Sequence, residues 1–342
     1  MVKCDSLRII MSSVNFFLFS IIRTMKYQYS SPVNEMNKLH YTTPSLMKMI
    51  SIWNYLCDKK IPNIQTPSGM YSVLNKHLSK FCGDNKYWLW CTVLEKLADK
   101  KEKNMSKLQK IKNQLRGICK KDLKPEKPES WYKNPKTWLS NYDIQNVMSQ
   151  YAAAPRYSYA FLGVFPIDFA VSNTQGQCLY SDFCHIDVKK FIKQKKKFIG
   201  FITNLDKHDE SGSHWTSTFI SIDPTLDSYG AYYYDSTAGK IPFYIVSVLK
   251  SIQKQCREIY PHKSFKINYN KKKHQYKNSE CGVFSMVFQI RWLNKHIVKK
   301  NKTSFEEILR NPLLTDDTML KIRDELFRPN AKKELLSIQS KS

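Results

Sequence analysis

Apolar positions recur at helical spacing through the first third of the chain and alternate with polar ones after residue 197. Leu46, Met49, Ile50, Trp53 and Leu56 share one face of a helix expected over residues 45–58. Residues 71–81 and 87–97 read as two more helices, with Gly83-Asp84-Asn85 as the turn between them. Residues 100–121 form a lysine-rich amphipathic helix, and Lys124-Pro125-Glu126-Lys127-Pro128 a stiff linker. Beyond the linker, Ser140 or Asn141 is a plausible N-cap for a helix with Ile144, Val147, Met148 and Tyr151 on one face. Residues 157–170 begin a core sheet, and residues 189–197 are basic and exposed. Residues 198–205 are a strand, His214-Trp215 opens an alternating second strand, and residues 229–234 are a third that ends at Asp235. Pro242 suits the first turn of a helix running to about residue 260, and residues 263–269 are a further strand.

The next stretch, KKKHQYKNSECGVFSMVF over residues 271–288, changes character at Cys281. Polar residues precede it, and the apolar run Val283, Phe284, Met286, Val287, Phe288 follows. The pattern places Cys281 at the first turn of a buried helix. Unpaired backbone N–H groups and the helix dipole favour an anion there, and the thiolate is the nucleophilic form of cysteine. An inert buried thiol is the competing reading. His214 begins one strand and Asp235 ends the next; in an antiparallel pair both lie at one end of the sheet. A carboxylate there can hold one imidazole nitrogen and leave the other to take a thiol proton. Gln275 can aim its side-chain amide at a developing oxyanion, together with the Cys281 N–H.

Composition adds less. At 342 residues the chain can hold one large domain or two smaller ones, and 42% apolar residues suffice for a core. Nine cysteines, an odd number without a CxxC pair, read as reduced thiols. Cys178 with Cys184-His185 can be drawn as a metal site, but no second ligand pair has matching spacing. The formal charge of +26 admits nonspecific, salt-dependent nucleic-acid contact. Only nine of the 55 basic residues are arginine, however, and lysine-rich chains of this kind are also typical of AT-rich genomes. Residues 9–22 are mostly apolar between Arg8 and Arg23, yet shorter than the roughly twenty residues of a membrane span.

The ordered set His214-Trp215, Asp235-Ser236 and Gln275, with five residues before Cys281-Gly282, resembles the clan CE cysteine proteases. These are the ubiquitin-like-protein-specific and adenain-type enzymes. Trp138-Leu139-Ser140-Asn141, GVFPIDF and the later DDTM…LFR segment resemble most the thiol proteases of large DNA viruses, of mimivirus and African swine fever virus type. The resemblance implies an α+β, papain-like/adenain-like core: a mixed sheet packed against a central buried helix that carries the cysteine, with an N-terminal, mostly helical lobe. The resemblance covers roughly residues 131–329; together with the patterns before it, this divides the chain into an apolar extension (1–25), a helical accessory domain (26–130), a catalytic domain (131–330) and a tail (331–342). Cys281 is then the nucleophile, His214 the base, Asp235 its orienter and Gln275 an oxyanion donor. Trp215 and Trp138 line a narrow tunnel for a Gly-Gly tail. The implied function is cleavage of viral structural precursors after Gly-Gly-type sites during virion maturation. Removal of ubiquitin-like modifiers from host proteins is the alternative, and an inactive, basic, DNA-associated virion protein is a third reading. Asn141 stands where cellular enzymes carry an aspartate that contacts their modifier, which favours the viral role. Protein substrates, a monomer, and residence in the virion and in the host cytoplasm follow, without a cofactor or metal.

Overall fold

The helical periodicity of the first third becomes four amphipathic helices. The computed structural model describes residues 30–34, 39–172, 178–180, 183, 185–298, 304–310 and 314–340. In it α1 (Thr43–Leu56), α2 (Pro67–Cys82), α3 (Trp90–Lys101) and α4 (Met105–Asp122) bury Leu46, Trp53, Leu74, Trp90, Leu94 and Leu115 in one core. The continuous helix expected over residues 100–121 is broken. Lys100 and Lys101 close α3, where cations suit the dipole, and Asn104 caps α4 by accepting from the Lys107 N–H at 3.1 Å. The expected linker is fastened on both sides. Arg328 N–H donates to the Pro125 carbonyl and Lys127 N–H to the Arg328 carbonyl, each at 2.8 Å, while the Arg328 guanidinium meets Glu126 at 2.7 Å.

The chain forms two units. One comprises the described residues through Glu129 together with those from Glu325 onward, and the other is Ser130–Asp324. The first unit therefore takes in residues 325–340, which the motif-based division gave to the catalytic domain and a tail. The reason is an apolar face: Ala331, Leu335 and Ile338 pack into the α1–α4 core. Residues 1–25, including the apolar stretch 9–22, lie outside the described residues. No described helix is long and apolar enough to cross a membrane.

The second unit begins with a short helix, α5 (Ser130–Lys133), followed by α6 (Asn141–Ala153) and β1 (Tyr159–Phe165). Then come α7 (Val188–Lys193), β2 (Phe198–Asn204), β3 (Trp215–Ser221) and β4 (Gly230–Tyr234). After these lie α8 (Phe243–Ile259), β5 (Lys266–Tyr269), α9 (Cys281–Val298), α10 (Phe305–Leu309) and α11 (Asp316–Leu326); α12 (Ala331–Gln339) closes the first unit. The five strands pair in chain order, parallel at β1–β2 and β4–β5 and antiparallel between, a mixed sheet.

Both sheet faces are covered, which is why β2 and β4 read as nearly unbroken apolar runs. Ile199, Phe201, Ile220, Ala231 and Tyr233 pack on one side with Ile245, Leu249 and Ile252 of α8. On the other side Trp292 of α9 stacks on Phe219 at 5.3 Å, and Phe288 on Tyr234 at 4.7 Å. The cysteine helix is thus buried along nearly its whole length, through Leu293. The α+β architecture, with a central helix carrying the cysteine against a mixed sheet, is the one the motifs implied.

Candidate active site

Sheet register brings the first two residues together. Ser217 pairs with Tyr234, so the start of β3 lies beside the end of β4, with His214 and Asp235 one step beyond each. His214 Nε2 donates to Asp235 Oδ1 at 2.8 Å. That leaves Nδ1 without a carboxylate partner, and Cys281 lies close enough to influence the ring. Burial works against a charged His214, but the hydrogen bond to Asp235 and the neighbouring Cys281 outweigh it and raise its pKa from 6.5 to about 9. Burial likewise opposes ionisation of Asp235, and the His214 and Thr237 bonds overcome it to keep the carboxyl below its usual range.

Asp235 is held on all sides. Oδ1 accepts from the Thr237 N–H at 2.8 Å and its hydroxyl at 2.7 Å, and Oδ2 accepts from the Gly239 N–H at 3.2 Å. The Asn270 side chain bonds the Asp235 backbone in both directions, accepting from its N–H at 2.9 Å and donating to its carbonyl at 2.6 Å. The sequence DSTAG carries a visible signal for the first of these, an Asp that bonds backbone N–H groups just after it. Asn270 has no comparable local signal.

Cys281 is buried and opens α9, as the polar-to-apolar switch predicted. A side chain on the following Gly282 would strike Leu139 and Ile144, so the glycine lets the helix start close against the WLSN segment. In that segment Ser140, not Asn141, caps α6 through a reciprocal capping box with Asp143. The Leu139 carbonyl accepts from the Trp215 indole at 3.0 Å. Trp215 is half-buried here, and Trp138 is 49% exposed. The two tryptophans thus differ: one is pinned, the other stands at the surface.

Gln275 is buried, and its amide is already engaged. Oε1 accepts from Ser236 Oγ at 2.6 Å, and Nε2 donates to the Lys277 carbonyl at 2.6 Å. Nε2 carries two hydrogens, so one donor remains. His274, the nearest histidine in sequence to Cys281, turns away: its Nδ1 meets Tyr234 Oη at 3.0 Å, and burial pulls its pKa down to about 4. Among the described residues no His, Cys, Asp and Glu cluster has the geometry to hold a metal. Cys178 is disulfide-bonded, a departure from uniformly reduced thiols, and Cys184 lies outside the described residues.

A cysteine at the head of a buried helix, near a histidine–carboxylate pair at the end of a mixed sheet, is an arrangement chemically able to carry out thiol-based hydrolysis. No family model matches the chain. Its relatives are viral. It is 30% identical over 177 residues to a thiol protease of Acanthamoeba polyphaga mimivirus, covering 50% of this chain and 54% of that one. It is 25% identical over 139 residues to a SUMO-1 cysteine protease of African swine fever virus, covering 41% and 47%. The match thus spans about half the length of each relative. The crystal structure of the African swine fever virus protease superposes with a TM-score of 0.55 at 18% identity, over 80% of this chain and 96% of that one. The resemblance drawn from the motifs therefore extends to the fold.

Proposed function

We propose that the protein is a cysteine endopeptidase that cuts viral structural precursors after Gly-Gly-type sites during particle maturation. The observation that carries this reading is His214, bonded through Nε2 to Asp235 at 2.8 Å and close enough to Cys281 to feel the thiol, which opens the buried helix α9. Asp235 fixes the ring and stabilises the imidazolium. Nδ1 takes the thiol proton, and Sγ attacks the carbonyl carbon of the scissile peptide. The carbonyl π electrons move to oxygen, where the Cys281 N–H and the remaining Gln275 N–H receive the negative charge. Collapse breaks the C–N bond, the imidazolium passes its proton to the leaving amine, and a thioester stays on Cys281. Water deprotonated by His214 then releases the acid and restores the thiol.

In this reading Trp215 and Trp138 flank a passage too narrow for bulky side chains, which selects glycine. The enzyme is a monomer that resides in the virion and, during assembly, in the host cytoplasm. Its basic surface makes nonspecific, salt-dependent contacts with nucleic acid. The second reading, removal of ubiquitin-like modifiers, is favoured by the name of the African swine fever virus relative, a SUMO-1 cysteine protease. Asn141, in place of the aspartate that contacts the modifier in cellular enzymes, weighs against it. The test exposes wild type and Cys281→Ala to a Gly-Gly electrophile, then to capsid precursors and modifier fusions, with products identified by mass spectrometry. Labelling lost in the variant, with precursor cleavage, is the expected result. Cleavage of modifier fusions alone would overturn the maturation role, and no labelling of wild type would overturn the peptidase.

A further inference from the structure

The segment between Gln275 and Cys281 is neither helix nor strand. A loop of this kind has no ladder to hold it, so its backbone and side chains must find partners elsewhere. Two come from α11. The buried Asp316, at its first residue, accepts from the N–H of Tyr276 at 2.9 Å and of Lys277 at 3.3 Å, across 40 positions of sequence. Arg323 lies seven residues on, two turns along the same face, about 10 Å away. Its guanidinium meets Glu280 at 3.2 Å, both groups fully buried, and lies 3.8 Å over the Trp131 ring. Arg323 also donates to the Thr137 carbonyl. Two residues later, Leu139 receives the Trp215 indole and faces Gly282.

We propose that α11 is a positioning element for the oxyanion side of the site, acting through Asp316 at one end of the loop and Arg323 at the other. The inference rests on the reading of Gln275 and the Cys281 N–H as oxyanion donors. Asp316 fixes the two residues after Gln275, and Arg323 fixes the one before Cys281. Neither touches the thiol or the imidazole. An oxyanion donor acts only if it is aimed before charge develops, and a displacement of about 1 Å at a catalytic group can cost on the order of a hundredfold. Asp317 supplies a built-in contrast. Its bond to Lys277 Nζ, at 2.7 Å, lies on the surface with both side chains exposed.

The test separates two reactions of one cysteine in the full chain. Hydrolysis of a Gly-Gly peptide needs the oxyanion donors; alkylation of Cys281 by iodoacetamide needs only the thiolate. Asp316→Ala is expected to lower kcat about thirtyfold, leaving KM and the alkylation rate within about twofold. Asp316→Asn, which keeps one acceptor oxygen, falls between. Arg323→Lys retains the charge but loses the fork, and follows the same split. Asp317→Ala stays within about twofold of wild type in both reactions. Unchanged hydrolysis in Asp316→Ala, or a parallel fall in hydrolysis and alkylation, overturns the proposal. Should wild type hydrolyse no Gly-Gly substrate, the peptidase reading fails separately, and amide exchange decides for α11. Exchange over residues 275–280 about tenfold faster in Asp316→Ala, with the sheet unchanged, supports the clamp; equal exchange overturns it.

Discussion

The two sides of the site are held by different means. His214 and Asp235 sit at the ends of paired strands, where the β3–β4 register alone brings their backbones together. A turn of five residues then wraps Asp235 with N–H donors from its own neighbourhood. The loop from Gln275 to Glu280 has a local bond, from Gln275 Nε2 to the Lys277 carbonyl, and borrows the rest of its geometry from distant partners, including side chains some forty residues downstream. The His214–Asp235 half of the site is therefore held mainly by strand register and a local turn, with Asn270 a distant support, and the Gln275–Glu280 half mainly at long range. Substitutions that act on one half should leave the other readable by its own assay.

The largest effect should come from the local half. Asp235→Asn keeps the shape of the side chain but presents a neutral partner to His214. By analogy with carboxylate removal in a Ser-His-Asp triad, the turnover rate should fall about ten-thousandfold. The pH dependence gives the sharper reading. His214 titrates at about 9 in the folded protein against 6.5 ordinarily, so the stabilisation from its charged form is complete below about pH 6.5 and is lost as pH rises through 9. The alkaline limb of kcat/KM in wild type should lie near 9 and move to lower pH in Asp235→Asn. A limb that stays near 9 would show that the carboxylate does not govern His214.

The long-range half should answer in stability. Arg323→Ala leaves Glu280 buried without its cation, and breaking a buried pair from one side costs about 3–5 kcal/mol. Thermal unfolding of the second unit should show a loss of that size. Burial raises the Glu280 pKa more than Arg323 lowers it, and a buried pair replaced on both sides by neutral groups leaves no charge stranded. Glu280→Gln with Arg323→Met should therefore recover most of the loss. An Arg323→Ala protein as stable as wild type would mean that the pair contributes nothing to holding the loop.

The same division decided what could be read from the sequence. Strand alternation, the Asp-Ser-Thr-Ala-Gly turn and the polar-to-apolar switch at Cys281 are all local patterns, and each became the element expected. His214 and Asp235 meet because strand pairing follows from those patterns, and Cys281 opens the helix that the polar-to-apolar switch begins. Asp316, Arg323 and Asn270 carry no local signal: each does its work through a contact set by the finished fold. Ser236 stood in a recognisable motif, yet its role as the acceptor-side partner of Gln275 needs the structure. Two limits at the helical lobe have the same origin. Lys100 and Lys101 look continuous with the lysine-rich helix until Asn104 is seen to cap a new one. The proline-rich linker looks free until Arg328 is found bonded to it.

The smallest effect tests whether the local half is as self-contained as it looks. Gly239 donates its N–H to Asp235 Oδ2 at 3.2 Å, and a Cβ at that position would collide with the same oxygen. The turn has little room to yield, since Ala238 before it already sits at a φ of 66° in the left-handed region. In Gly239→Ala the carboxylate must therefore rotate away from His214. The expected cost is about tenfold in kcat/KM, far below the Asp235→Asn effect, with the alkaline limb shifted in the same direction. Alkylation of Cys281 should slow as well, because in the proposed mechanism the ring that takes the thiol proton has lost its orientation. That pattern is the reverse of the one expected for Asp316→Ala, where alkylation is spared. If Gly239→Ala instead spares alkylation while hydrolysis falls, the turn around Asp235 serves the oxyanion side too, through Ser236 and Gln275, and the division into two halves fails at that bond.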